Sequence, residues 1–264
     1  MKQLIKLSAA LTLVFVVALS ACKKSESTGN KPVDKTDYQA LSKHIAVSFY
    51  KSLNTGSTGF KASGSTERRT NSTDPQCGDV VTTPTNYVQT GDTTRVVTGN
   101  SVFTYICNGG ILNEYSLSDT LSTKETRVGF ESIYTVAQRY NTRAVDMSYT
   151  QSVSNGKISV GYYQRLVNNS GVTTDQLNWT THYTLVGVLV SRTNDGAVIT
   201  GGQASFTSDV FHKDNTVDVD GWSDEHFGYI SFLGNDTIKV AFGNGQGFYS
   251  EYLVNVKTGV SVKL

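Results

Sequence analysis

Proline, cysteine, histidine and charge are all scarce in this chain. Its 264 residues include 3 prolines, 3 cysteines, 4 histidines and 2 tryptophans, and charged side chains make up only 17%. The prolines stand at 32, 75 and 84, so every residue after Pro84 keeps the backbone N–H that a β-ladder needs. Basic and acidic side chains nearly balance, 23 against 22, which excludes a nucleic acid or other polyanion held by bulk electrostatics. There is no Gly-x-Ser-x-Gly elbow, no His-Glu-x-x-His, no phosphate loop and no Cys-x-x-Cys. Nothing in the sequence marks an enzyme, and the expectation is a non-enzymatic protein. The 38% of apolar residues excludes a wholly disordered chain.

The residues present in excess point to sheet. Threonine (33) and valine (30) dominate, and both are stiff, β-branched side chains that favour a pleated surface. From Cys77 onward the apolar residues recur with a period of two. Phe103, Tyr105 and Cys107 share one face, as do Tyr115, Leu117 and Leu121. Further alternating runs are Val145–Met147–Tyr149–Val153, Ile158–Val160–Tyr162 and Val186–Val188–Val190, followed by Ile238–Val240–Phe242 and Phe248–Tyr252–Val254–Val256. Turn signals separate them at Asn108-Gly109-Gly110, Asn155-Gly156, Asn169-Ser170-Gly171, Asp195-Gly196, Gly234-Asn235-Asp236 and Asn244-Gly245. Links this short force neighbouring strands to be antiparallel. The fold class is therefore all-β: a large antiparallel meander of about 10–12 strands, either a half-barrel or a closed barrel.

One helix precedes the sheet. Leu41, Ile45, Phe49 and Leu53 recur every four residues, Thr36 and Gln39 fit a capping box, and Gly56 lies just past the end. The spacing predicts a helix over about 37–54 that packs on the sheet, followed by a polar loop over 55–76 and the sheet over 77–264. Residues 36–264 then form a single β-rich domain.

The first 21 residues read as an export signal. Lys2 and Lys6 precede an uncharged apolar stretch, Leu7 to Leu19, that is too short for a first-choice transmembrane helix. Leu19-Ser20-Ala21-Cys22 resembles the lipobox of bacterial lipoproteins, which implies cleavage before Cys22 and a covalent lipid, with palmitate among its acyl chains, on that cysteine. Several chains anchor a protein stably without a spanning segment. Cleavage leaves 21 basic against 22 acidic side chains, a net charge of −1. Residues 22–35 form a polar tether with a root-mean-square span of roughly 20 Å. The lipobox, the tether and the Thr/Tyr-rich strands together resemble uncharacterised envelope lipoproteins of Bacteroidota-type bacteria. Lys23 is not the aspartate that resembles an inner-membrane retention signal, so the outer membrane is expected, on its periplasmic or surface face.

Export also bears on the two remaining cysteines. In an oxidising compartment Cys77 and Cys107 are expected to pair, which stabilises the fold by roughly 3–4 kcal/mol on the chain-entropy model. The stretch Asp209 to His226 is rich in acids, and Asp218-Val219-Asp220-Gly221 resembles the middle of a calcium loop. Asp218, Asp220 and Asp224 are the candidate Ca²⁺ ligands, although Thr216 and Phe227 stand where outer ligands belong. Zinc through His212 and His226, or a solvated acidic loop, are the other readings. Asp92-Thr93-Thr94, Asp119-Thr120-Leu121 and Asp236-Thr237-Ile238 look like Bacteroidota-type O-glycosylation sites at Thr93, Thr120 and Thr237.

The function expected is a lipid-anchored envelope binding module, with the membrane as one partner and a lipid or other apolar ligand held in the curve of the sheet. Aromatic side chains would pack between the sheet and the helix, line that curve around an apolar ligand, or, on the outer face, Tyr and the tryptophans Trp179 and Trp222 would stack on sugars. The alternative is a surface interaction or structural lipoprotein with a filled interior. A glycan hydrolase is the remaining reading. An apolar cavity of several hundred Å³ would favour the carrier.

Overall fold

Among the described residues, each strand pairs only with its neighbours in sequence. The computed structural model describes residues 36–56, 75–145, 150–193, 196–215, 221–244 and 247–264. Helix α1 spans Tyr38–Gly56, and eleven strands follow: β1 Val80–Gln89, β2 Thr94–Asn108, β3 Ile111–Arg127, β4 Phe130–Ala144, β5 Gln151–Val167, β6 Thr173–Thr193, β7 Gly196–Asp214, β8 Trp222–Gly234, β9 Thr237–Asn244, β10 Gly247–Asn255 and β11 Ser261–Lys263. They lie in one antiparallel sheet in the order β1 to β11. The sheet is open, which decides between the half-barrel and the barrel.

The helix begins one residue later than the capping box implies, and its cap is a different residue. Asp37 Oδ1 accepts the backbone N–H groups of Gln39 (2.9 Å) and Ala40 (3.1 Å), so Asp37 caps the helix. Thr36 turns instead to Asp224 and His226, and the Gln39 amide donates to the Ser261 carbonyl in β11 at 2.6 Å. Tertiary partners outcompete the local box. The predicted stripe holds: Leu41, Ile45 and Phe49 are at most 1% exposed and Leu53 is 7% exposed. Burying each such side chain stabilises the fold by about 1.5–3 kcal/mol.

These side chains meet strands from both halves of the meander. Residues of α1 lie against β4 and β5 and against β9, β10 and β11. Phe49 packs on Tyr183 of β6 at 5.1 Å between ring centroids and on Phe232 of β8 at 5.4 Å. The sheet thus bends around the helix, and its inner face is the hydrophobic core. The inner residues include Tyr140, Ile158, Tyr183, Ile230, Val240, Phe242 and Val254.

One predicted turn and two predicted runs are corrected by backbone irregularities. Asn155-Gly156 is not a turn but lies inside β5, where the register shifts between Ser154 and Gly156. Asn155 Oδ1 instead accepts the Gly187 N–H at 2.8 Å, and a Cβ on Gly156 would stand 2.4 Å from Tyr140 Cα. Val186 does not share a face with Val188: Gly187 has φ +60 at a bulge, so Val186 is 63% exposed while Val188 is buried. Phe248 is likewise turned outward by a register shift between Phe248 and Ser250, away from Tyr252 and Val254. The run from Val145 to Val153 spans a chain reversal, because β4 ends at Ala144 and β5 begins at Gln151. Met147 and Tyr149 lie outside the described residues.

The edges of the sheet differ. β11 is three residues long. β1 is ten residues long, exposed on nearly its whole length, and carries Pro84. Pairs such as Asp79–Tyr105 send the odd-numbered backbone groups of β1 toward β2, so the even-numbered Pro84 sits where its missing N–H would face the open edge. A proline there costs no ladder bond and discourages edge-to-edge association.

Candidate functional site

The inner face was the expected ligand site, and it is occupied by α1. Tyr183 donates its hydroxyl to the Ile45 carbonyl at 3.0 Å, and Gln138 of β4 donates to the Ser52 carbonyl at 2.9 Å. Ser42 and Ser261 hydroxyls meet at 2.8 Å. A small recess lined by Tyr50, Ile199, Phe232 and Val256 holds about 10 Å³, room for no more than one water.

Near the helix start, Thr36, Asp224 and His226 converge. Thr36 Oγ1 donates to Asp224 Oδ2 at 3.1 Å and lies 3.1 Å from His226 Nε2, while Asp224 Oδ2 is 3.6 Å from the same nitrogen. A hydrolytic relay needs the hydroxyl and the carboxylate on opposite ring nitrogens. Here both approach Nε2. The cluster is built as a clamp: His226 is buried, and Tyr38 covers it edge-on with a centroid separation of 5.2 Å.

Of the three candidate calcium ligands only Asp224 lies among the described residues, and its carboxylate meets Thr36 and His226. Its side chain points to the helix-facing side with His226, whereas Glu225 points outward. Asp218 and Asp220 lie outside the described residues, and among the described residues no group of three or more His, Cys, Asp or Glu stands where it would hold a metal. The zinc pair is also separated. His212 pairs in register with Trp222 and His226 with Ser208, about 14 Å apart along the strands. His212 Nε2 lies 2.9 Å from Asp175 Oδ2 instead.

His44 faces Trp179 edge-on, with ring centroids 3.9 Å apart. Desolvation, with a smaller contribution from the Lys51 charge, pushes its pKa down to about 3, so it is neutral at physiological pH. Trp179 therefore faces the helix, and Trp222 packs on His212 at 6.0 Å; neither tryptophan forms a sugar platform on the outer face. The aromatics exposed there are Phe227, Tyr229 and Phe248. Alternation around Phe227 does not reveal this, because a bulge in β10 turns Phe248 outward, across Gly243 of β9 from Phe227, where its ring meets Tyr229.

Cys77 and Cys107 form a disulfide with a Cα–Cα distance of 5.4 Å, tying the turn before β1 to the end of β2. Thr93 and Thr120 are exposed, as a modification site needs to be. Thr237 is half-buried in the β8–β9 hairpin and donates its hydroxyl to the Asn235 carbonyl at 3.2 Å. Cys22 lies outside the described residues. No family model, curated protein or solved structure matches the chain.

Proposed function

We propose that this protein is a lipid-anchored interaction module of the cell envelope, held at the outer membrane through acylated Cys22 and meeting its partners on the outer face of the sheet. The observation that carries this reading is the burial of Leu41, Ile45 and Phe49 against the inner face. A carrier of apolar ligands needs that face free. Here the chain's own helix fills it, and three polar contacts to helix carbonyls or hydroxyls hold it there. What remains for recognition is an outer surface of Thr, Ser and a few exposed aromatics.

The test combines two measurements on protein made in its native envelope. Cys22→Ser should move the protein from the membrane to the soluble fraction. Native mass spectrometry should show no lipid other than the covalent one, and a photo-crosslinking residue at Thr184 or Tyr229 should capture a discrete partner. A non-covalent lipid bound one-to-one would overturn the module in favour of the carrier.

A further inference from the structure

We infer that the outer face of β7–β10 is a docking surface for a partner protein that presents arginine or lysine side chains. This rests on the interaction-module reading and names the chemistry of the partner.

The surface begins with three exposed aromatic rings. Phe227, Tyr229 and Phe248 are 46%, 51% and 57% exposed, while their neighbours His226, Gly228 and Ile230 are buried. Register sets them in one place: Phe227 lies opposite Gly243, and Gly243 opposite Phe248. Gly243 forms the floor, because a Cβ there would stand 2.9 Å from a Phe248 ring carbon. The Phe248 ring meets Tyr229 edge-on at 5.9 Å and 86°. Contiguous aromatic exposure on a sheet whose other face is fully packed marks a contact surface.

The occupant follows from charge. Two residues before Phe227, and about 7 Å away along the strand, Glu225 points to the same face. Asp209 lies directly opposite Glu225 across the β7–β8 pair, and both are exposed. Like charges facing each other in this way destabilise a sheet. Among the described residues neither carboxylate has an ion pair or hydrogen bond. Lys239, on the same face of β9, is already paired with Glu251 at 2.9 Å. His182, diagonal to Asp209 on β6, is turned to the Ser159 hydroxyl at 2.9 Å. A cation from outside the chain would relieve the carboxylate repulsion, and the faces of the neighbouring rings attract the same charge. Thr207 and Ser205, opposite Phe227 and Tyr229, add hydroxyl acceptors beside the rings. Arginine satisfies all three features at once, since its planar guanidinium stacks on rings and forks onto carboxylates.

The probes are a capped tetra-arginine peptide, its neutral tetra-citrulline counterpart and maltohexaose, each titrated into the full-length protein by calorimetry. The expected result is binding of tetra-arginine that weakens with salt and exceeds that of tetra-citrulline. Asp209→Asn with Glu225→Gln should abolish the salt dependence, and Tyr229→Ser should weaken binding about threefold, the scale of an exposed cation–π contact. All these positions are exposed, and cooperative thermal melts no lower than that of the unaltered protein verify that the variants fold. Equal binding of the two peptides, no binding, or indifference to the variants would overturn the inference. Tight maltohexaose binding lost in Tyr229→Ser would overturn it in favour of a glycan surface. If these titrations fail while a crosslinker at Thr184 still captures a partner, the interaction module stands and only this surface is withdrawn.

Discussion

The hydroxyl of Tyr183, on β6, donates to the backbone carbonyl of Ile45 in the middle of α1 at 3.0 Å. That carbonyl sits where the helix also supplies an internal N–H, so the tyrosine uses its second lone pair. The contact fixes the helix in both height and rotation against the strand. Burial raises the Tyr183 pKa well above its ordinary value, so the hydroxyl stays a donor at every physiological pH.

Removing this hydroxyl should be mild and removing the ring severe. Tyr183→Phe leaves the Ile45 carbonyl its helical partner and should cost about 1 kcal/mol. Tyr183→Ala opens a cavity beside Phe49 and should cost about 3–5 kcal/mol. Urea unfolding of the two variants measures the difference; equal losses would mean that the ring contributes nothing.

Acid should destabilise the fold through His44. Its folded pKa is about 3, below the unfolded value of 6.5, so the unfolded chain binds the extra proton first. Stability is therefore full above pH 6.5 and falls as the pH drops from 6.5 toward 3. His44 keeps some exposure, and the loss should reach only a few kcal/mol, on the order of two pKa units' worth. His44→Gln should flatten the stability profile between pH 6.5 and about pH 4. An unchanged slope would assign the acid sensitivity to another group.

Reducing the disulfide should loosen β1 before it unfolds the core. The bond joins residues 30 apart, and β1 is exposed along nearly its whole length, so little else holds that strand beyond its ladder with β2. Cys77→Ser with Cys107→Ser should lower stability by roughly 3 kcal/mol. Hydrogen exchange should accelerate at Val80–Gln89 first, with Ile158 and Val240 still protected. Uniform acceleration would show that the hairpin is not a separate unit.

Gly228 is a packing requirement. It faces the core between Phe206 and β9, and a Cβ there would stand 2.6 Å from the Phe206 ring and 2.1 Å from the Ala241 carbonyl. Gly228→Ala should cost about 1–3 kcal/mol or more by overpacking. The double variant with Phe206→Leu should recover part of that loss in thermal melts, which a purely backbone effect would not allow.

Much of the architecture was legible because it depends on local rules. The Leu41–Ile45–Phe49–Leu53 stripe appears as a buried helical face, and Gly234-Asn235-Asp236 forms the predicted tight hairpin, with Asn235 and Asp236 both at positive φ. The expectations that failed involve partners remote in sequence. Thr36 leaves its capping box for residues 188 and 190 positions away, and Asn155 leaves its turn for Gly187. A local pattern cannot weigh such partners, since their contribution exists only once the sheet is assembled. The same holds for Phe248, which alternation groups with Tyr252 and Val254 but a bulge in β10 turns outward to the Tyr229 ring two strands away.

Composition and periodicity by themselves determined an antiparallel meander with one helix ahead of it, because β-branched alternation and short glycine-rich links leave the backbone few other ways to bury its apolar side chains. With Cys22 assigned to the lipobox, an oxidising compartment left Cys77 and Cys107 to pair, as they do. Only the tertiary structure decided that the sheet stays open and that its hollow belongs to α1. Closure and filling depend on how strongly eleven strands curve together and on which buried polar groups find partners across the hollow, as Tyr183 finds Ile45.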